Sequence, residues 1–299
     1  ITVSSAITAS NSGSGGDLTL QAGRSVLVDA NITTDNGDLT LTANDTTSNG
    51  VVDGQRDSGA AVITLKSGTT MNTGSGVFTS TIRDGAGKTN FASGDITLST
   101  VTAGSLVATN SGPTSGSDIL DNGVLTISGV TTLAAGSGND ITLDTSTNNF
   151  ATVVITSGRN VSLRDAGAII LGASTVSGTY GITAGGAITD SGTQEITGVT
   201  TLAAGSGNDI TLDTSTNNFA AAVVITSGNN VAITDEDAID LGAATVSGTY
   251  SVTAGGAITD SGTQEITGVT TLAAGSGNDI TLDTSTNNFA AAVGITSGR

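Results

Sequence analysis

The 299-residue chain predicts an all-β fold: a parallel β-helix, or solenoid, with three short strands per coil and about 12–13 coils. Three observations carry this expectation. A block of 69–70 residues recurs almost verbatim, a finer beat of short apolar alternations runs inside each block, and the apolar residues are mainly β-branched with few aromatics.

The long period is read directly. Thr131-Thr132-Leu133-Ala134-Ala135-Gly136-Ser137-Gly138-Asn139-Asp140 returns from Thr200 and again from Thr270. Between Ile196–Gly228 and Ile266–Gly298 the only change is Val224 to Gly294. Inside one unit, alternations begin near Ile210, Val223, Val231, Ile239, Val246, Val252, Ile258, Ile266 and Leu272, before Ile280 opens the next. Nine such strands divide into three coils of three. Each is too short for a sandwich, and Gly, Asn and Asp sit at the junctions where a chain turns a corner. No window carries an apolar stripe at helical spacing.

Within a strand the pattern is apolar–polar–apolar, as in Gly16-Asp17-Leu18-Thr19-Leu20, Gly37-Asp38-Leu39-Thr40-Leu41 and Gly94-Asp95-Ile96-Thr97-Leu98. Period two points Leu, Ile and Val inward and Thr outward. Ile141, Leu143, Ile210, Leu212, Ile280 and Leu282 are therefore expected in the core, with Thr142, Thr211 and Thr281 outside, and outward Thr and Asn are expected to form ladders. Residues 1–125 keep the beat without the long period and form divergent coils. A polar stretch near 43–59 is expected to protrude as a loop, and 126–299 hold the near-identical copies of the same continuous β-helix. The chain opens on Ile1 and stops within a copy at Arg299, which we read as a fragment of a longer protein.

Composition limits chemistry. There is no His, Cys or Trp, so Ser–His–Asp triads, Cys nucleophiles, zinc fingers and iron–sulfur ligation are excluded. Twenty-six acids against eight bases give a net charge of −18, which argues against a phosphate-tracking nucleic-acid protein. No run approaches the length of a membrane span.

Five candidate features remain. Gly136-Ser137-Gly138-Asn139-Asp140 resembles a calcium β-roll turn, but Ala135 and Thr142 depart from that pattern and the motif recurs every 69–70 residues rather than every turn. It reads as a corner. Asp235-Glu236-Asp237 with Asp240 is the densest carboxylate group, and paired carboxylates serve glycoside hydrolysis. The matching positions of the previous copy are Asp165, Ala166, Gly167 and Ile170, and that copy has Arg159 and Arg164 where the next has Asn229 and Thr234, so the group reads as solvated surface. Tyr180 and Tyr250 read as corner packing rather than sugar platforms. Phe150, Phe219 and Phe289 read as anchors for the Thr-Ser-Thr-Asn-Asn loop. Asn31-Ile32-Thr33 and Asn44-Asp45-Thr46 match the glycosylation sequon by chance in a chain this rich in Asn and Thr. No catalytic, cofactor or metal site is assigned.

The runs Gly16–Arg24 (Gly-Asp-Leu-Thr-Leu-Gln-Ala-Gly-Arg), Thr183–Gly192 and Thr-Leu-Ala-Ala-Gly-Ser-Gly-Asn-Asp-Ile-Thr-Leu resemble the repeat regions of filamentous-haemagglutinin-like large exoproteins. The resemblance implies right-handed β-helical fibres, export through an outer-membrane secretion partner, and adhesion at the bacterial surface. The expectation is thus a non-catalytic structural or adhesive segment of a secreted fibre with an unknown ligand. Both ends are expected to continue into more β-helix, of the same chain or of identical subunits. A self-assembling filament subunit and a β-helical carbohydrate-active enzyme are the alternatives.

Overall fold

The computed structural model describes residues 1–9, 15–46, 50–85 and 87–299. It is an all-β parallel β-solenoid. Among the described residues there is no α-helix, and the single helical turn is a 3₁₀ turn at Asp53–Gln55. The chain divides into two units, Ile1–Arg159 and Asn160–Arg299.

In the first unit six coils stack. One ladder runs in parallel through Thr2–Val3, Val26–Val28, Ala61–Leu65, Ser93–Leu98, Ile119–Asp121 and Ile141–Leu143. A second passes through Ile7–Thr8, Ile32–Thr33, Thr70–Asn72 and Thr100–Ala103 into the strand Leu125–Ala134. A third joins Leu18–Gln21, Leu39–Ala43, Val77–Ile82 and Ser105–Asn110 to the second half of that same strand. Register explains the core. Val26, Ile63, Ile96, Ile119 and Ile141 fall one above the other and are fully buried. Each such side chain contributes about 1.5–3 kcal/mol through burial. The stack permits no side chain where corners touch: a Cβ on Gly76 would lie 2.4 Å from the Gly37 carbonyl oxygen.

The second unit holds seven coils. Ile169, Ile188, Ile210, Val231, Tyr250, Thr270 and Val293 stack in one ladder, so each coil takes 19–23 residues. Its neighbours are a ladder through Ser174, Gln194 and Glu195–Asn218 that resumes at Ile239, Ile258 and Ile280, and one through Val161, Tyr180, Thr200, Val223 and Leu241 that continues at Ala244–Gln264 and Glu265–Asn288.

This arrangement corrects the nine-strand beat. Asn218–Phe219 is itself a strand, paired with Glu195–Ile196, so Phe219 is a core residue of a face and not a loop anchor. The strand Ile239–Val246 bends over a corner and pairs with both Ile258–Asp260 and Gln264–Ile266. A 70-residue repeat therefore spans ten faces, one more than three coils. Equivalent residues step to the next ladder: Tyr180 pairs with Thr200, whereas Tyr250 lies in the ladder of Ile210 and Val231.

The inside–outside assignment holds. Ile141, Leu143, Ile210 and Leu212 are buried, and Thr142 and Thr211 are half-exposed. Ile280 and Leu282 are half-exposed because the last coil has a neighbour on one side only, and Thr281 is exposed.

Candidate functional site

At the Gly-Ser-Gly-Asn-Asp corners, Gly136, Gly205 and Gly275 have φ of 84°, 82° and 77°, the left-handed region that glycine enters freely. The following Asn braces each turn: Asn139 Nδ2 donates to the Ala135 carbonyl at 2.8 Å and Asn208 Nδ2 to Ala204 at 2.8 Å. The carboxylate after it faces the next coil. Arg159 forks onto Asp140 at 2.8 and 2.9 Å, Asn229 and the Asn230 backbone N–H reach Asp209 at 3.0 Å, and Arg299 reaches Asp279 at 3.0 Å. These contacts hold Asp209 and Asp279 below the usual carboxylate range, through the Asn230 backbone donor and the Arg299 guanidinium respectively. The motif is a corner with a coil-to-coil clasp.

The acidic cluster separates into two kinds of residue. Glu236 and Asp237 are exposed and Asp240 accepts from Ser261 Oγ at 2.8 Å. Asp235 is buried, so for this residue the solvated-surface reading is corrected. Its carboxylate accepts the backbone N–H groups of Phe219 and Asp237, both at 2.8 Å, and burial pushes its pKa up. Asp165, its counterpart, is buried and accepts the Gly167 N–H at 2.7 Å. The acid kept between copies is thus the one that satisfies backbone donors at a bend.

Tyr180 and Tyr250 open strands and are fully buried. Tyr180 Oη meets Ser174 Oγ at 3.3 Å; Ala244 replaces that serine, and Tyr250 Oη is buried without a partner. Phe150 is buried in register with Ile127. Asn31 accepts the Thr70 backbone N–H at 2.9 Å.

Sequence reasoning missed a recurring clasp. Asp121, Asp190 and Asp260 each accept the side-chain amide of an Asn 27 residues on, Asn148, Asn217 and Asn287, at 2.6–2.7 Å. Each Asn in turn accepts a backbone N–H of the coil below, from Leu125, Gln194 and Gln264. The buried Gln194 and Gln264 amides donate to Gly172 and Gly242 carbonyls at 2.8 and 2.7 Å. The available signal was polar identity at the same offset in every copy.

In the stretch 43–59, Asn44, Asp45 and Arg56 are tied to one another and to neighbouring segments. Strand Leu39–Ala43 ends in buried Asn44 and Asp45; Arg83 pairs with the Asp45 carboxylate at 3.0 Å. Arg56 reaches back to Asn44 Oδ1 and to the Asp45 carbonyl, and Asn90 Nδ2 donates to the Arg56 carbonyl at 2.9 Å. Residues 47–49 lie outside the described residues. Between this knot and the first two coils lies an open groove of about 540 Å³, lined by Gln21, Arg24, Ser25, Gln55, Arg56 and Asp57 among others.

A family of repeats of unknown function (DUF5649) matches residues 85–157, 158–226 and 228–296. The first matched copy begins well before the verbatim repetition near Thr131, within the coils that read as divergent. No curated protein and no solved structure is significantly similar to the chain. The three matches cover more than two thirds of the sequence, and the chain therefore belongs to the DUF5649 family of repeats.

Proposed function

We propose that this chain is a non-catalytic structural segment of a secreted fibre that displays adhesive sites at a bacterial surface. One observation carries the reading. Between residues 160–198 and 230–268 the buried positions change conservatively, Leu163/Ile233, Ser174/Ala244 and Ile182/Val252, while exposed and half-exposed positions change in charge, Arg164/Thr234, Ala166/Glu236 and Gly167/Asp237. The repeat specifies stacking and leaves the surface free to vary, which suits a spacer and does not suit a replicated active site. Export through an outer-membrane partner and display outside the cell belong to the same proposal.

A second reading is a filament subunit that assembles end to end, because a stack of parallel coils can extend by the same pairing that joins its own coils. Antibodies against residues 229–250 test the main reading. They should label intact cells and a protease-sensitive surface polypeptide; labelling confined to lysed cells would contradict it. The mass of that polypeptide separates a giant single chain from a subunit assembling end to end. Release of reducing or unsaturated sugar ends from acidic polysaccharides would favour the enzyme instead.

A further inference from the structure

A groove of about 180 Å³ runs along the flank of the second unit. The row Thr245–Glu265–Asn288 lies in it, in register on three successive coils, with Ser247 and Thr267 beside it. Ser247 Oγ donates to the Ser206 carbonyl at 2.7 Å, which ties a Gly-Ser-Gly corner to this row. Thr245 and Glu265 stand on strands paired on both sides, so the groove belongs to the side of the stack and not to an end. Thr245, Ser247, Glu265, Thr267 and Asn288 are exposed, whereas Val246 and Ile266 between them are buried. The groove therefore presents hydroxyls, an amide and one carboxylate, and none of its lining residues is Lys or Arg. A carboxylate without a neighbouring cation repels anionic ligands, and the buried Val and Ile leave an apolar ligand little surface to cover.

We infer that this groove binds a neutral pyranose unit of a polysaccharide. The inference rests on the adhesive part of the reading above and supplies its ligand class. Asn288 Nδ2 donates to Glu265 Oε2 at 3.2 Å, so the carboxylate is held beside an amide. That bond uses one of the about four lone-pair sites of a carboxylate. The others accept O–H groups from adjacent sugar hydroxyls, while Ser, Thr and Asn supply both donors and acceptors. The choice of acid points the same way. Three acids of the chain are Glu and the other 23 are Asp, and two of the three, Glu195 and Glu265, hold this position. The row itself recurs one repeat earlier as Thr175–Glu195–Asn218, again in register, although the carboxylates Glu236, Asp237 and Asp240 are Ala166, Gly167 and Ile170 in that copy. Exposed hydrogen bonds make each site weak, with a Kd of about 1–10 mM, and recurrence along a fibre compensates through avidity for a polymer.

The test follows backbone amide shifts of the full, isotope-labelled 299-residue chain during titration. The neutral probes are methyl β-D-glucoside, methyl β-D-galactoside and methyl α-D-mannoside, and the anionic probe is D-glucuronate. At least one neutral glycoside should shift the amides of Ser247, Glu265 and Thr267 saturably, with a Kd of about 1–10 mM, and glucuronate should bind at least about tenfold more weakly. Glu265→Gln should weaken the bound glycoside about threefold or more, whereas Glu236→Gln, at an exposed carboxylate outside the groove, should leave it unchanged. No saturable shift with any neutral probe, shifts that leave residues 245–267 unmoved, or an undiminished affinity in Glu265→Gln overturns the site. Glucuronate binding as tightly as the glycosides overturns the neutral-sugar assignment. Surface labelling of cells is a separate outcome: labelled cells with an inert groove overturn the groove alone, and a binding groove on unlabelled cells overturns display alone.

Discussion

At the scale of single residues, the copies test each other. Tyr180 and Tyr250 occupy the same place in the repeat, yet only Tyr180 has a hydroxyl partner, Ser174. Tyr180→Phe should cost about 0.5–1.5 kcal/mol, while Tyr250→Phe should be neutral or stabilising, because it removes an unsatisfied buried oxygen. Chemical denaturation midpoints check this, and Ala244→Ser should add stability only while Tyr250 is present. A carboxylate gives a second test. Burial raises the Asp235 pKa, while the Asn230 backbone donor lowers that of Asp209. Carboxyl carbon shifts followed by NMR should show Asp235 titrating at clearly higher pH than Asp209. A raised folded pKa means that the folded state holds the proton more tightly than the unfolded chain. The Asp235 contribution to stability is then complete below the unfolded value near 3.9 and is lost as pH rises through the folded one. The sequence hides this residue, since a carboxylate in an acidic chain reads as surface; only its identity with Asp165, amid neighbours that drift, marks it as buried.

At the scale of strands and clasps, legibility depends on length. Ile210-Thr211-Leu212 alternates with period two and declares which side is buried. Leu212→Asp should cost several kcal/mol by burying an unpaired charge, and Thr211→Asp should fall within about 0.5 kcal/mol of the parent. Equal melting of the two would reverse the assignment of faces. Asn218–Phe219 spans two residues, too few to show any alternation, and exists because Glu195–Ile196 lies beneath it. Its pairing is tertiary, so a reading of local pattern passes over it. The Asp–Asn clasps are hidden for the same reason, since their partners are 27 residues apart. Asn217→Ala would strand the buried Gln194 backbone N–H, at a cost of about 1–3 kcal/mol, and would take one donor from the half-exposed Asp190, which water can replace. Asn287→Ala, in the half-exposed last coil, should cost less, because water replaces the lost partner. A larger loss at Asn287 than at Asn217 would contradict the role given to the clasp. The groove at Glu265 was the least legible feature, because Thr245, Glu265 and Asn288 meet only through the stacked register.

At the scale of the whole repeat, a period of ten faces in a three-faced coil has a physical consequence. The same sequence must be stable on each ladder it visits, so the cross-section of the second unit has three nearly equivalent sides. Tyr180 and Tyr250, or Gln194 and Gln264, are equally buried although they stand on different ladders. Identical surface positions accordingly turn by one face per copy instead of forming a straight row. The sequence shows the length of the repeat, but the face on which each copy begins depends on how many residues each corner consumes, and that becomes visible only in the stacked register. A distance between two spin labels tests this stepping. The native chain has no cysteine, so the double variant Thr189→Cys, Thr271→Cys places labels at chosen outward positions without background. Thr189, Thr211, Ala232, Ser251 and Thr271 succeed one another on one ladder, four coil spacings in all. The stepped register predicts a narrow distribution at about 19 Å, four spacings of about 4.8 Å, broadened by the label linkers. A broad or much longer distance, as from positions on different faces or in a differently paired sheet, would contradict it.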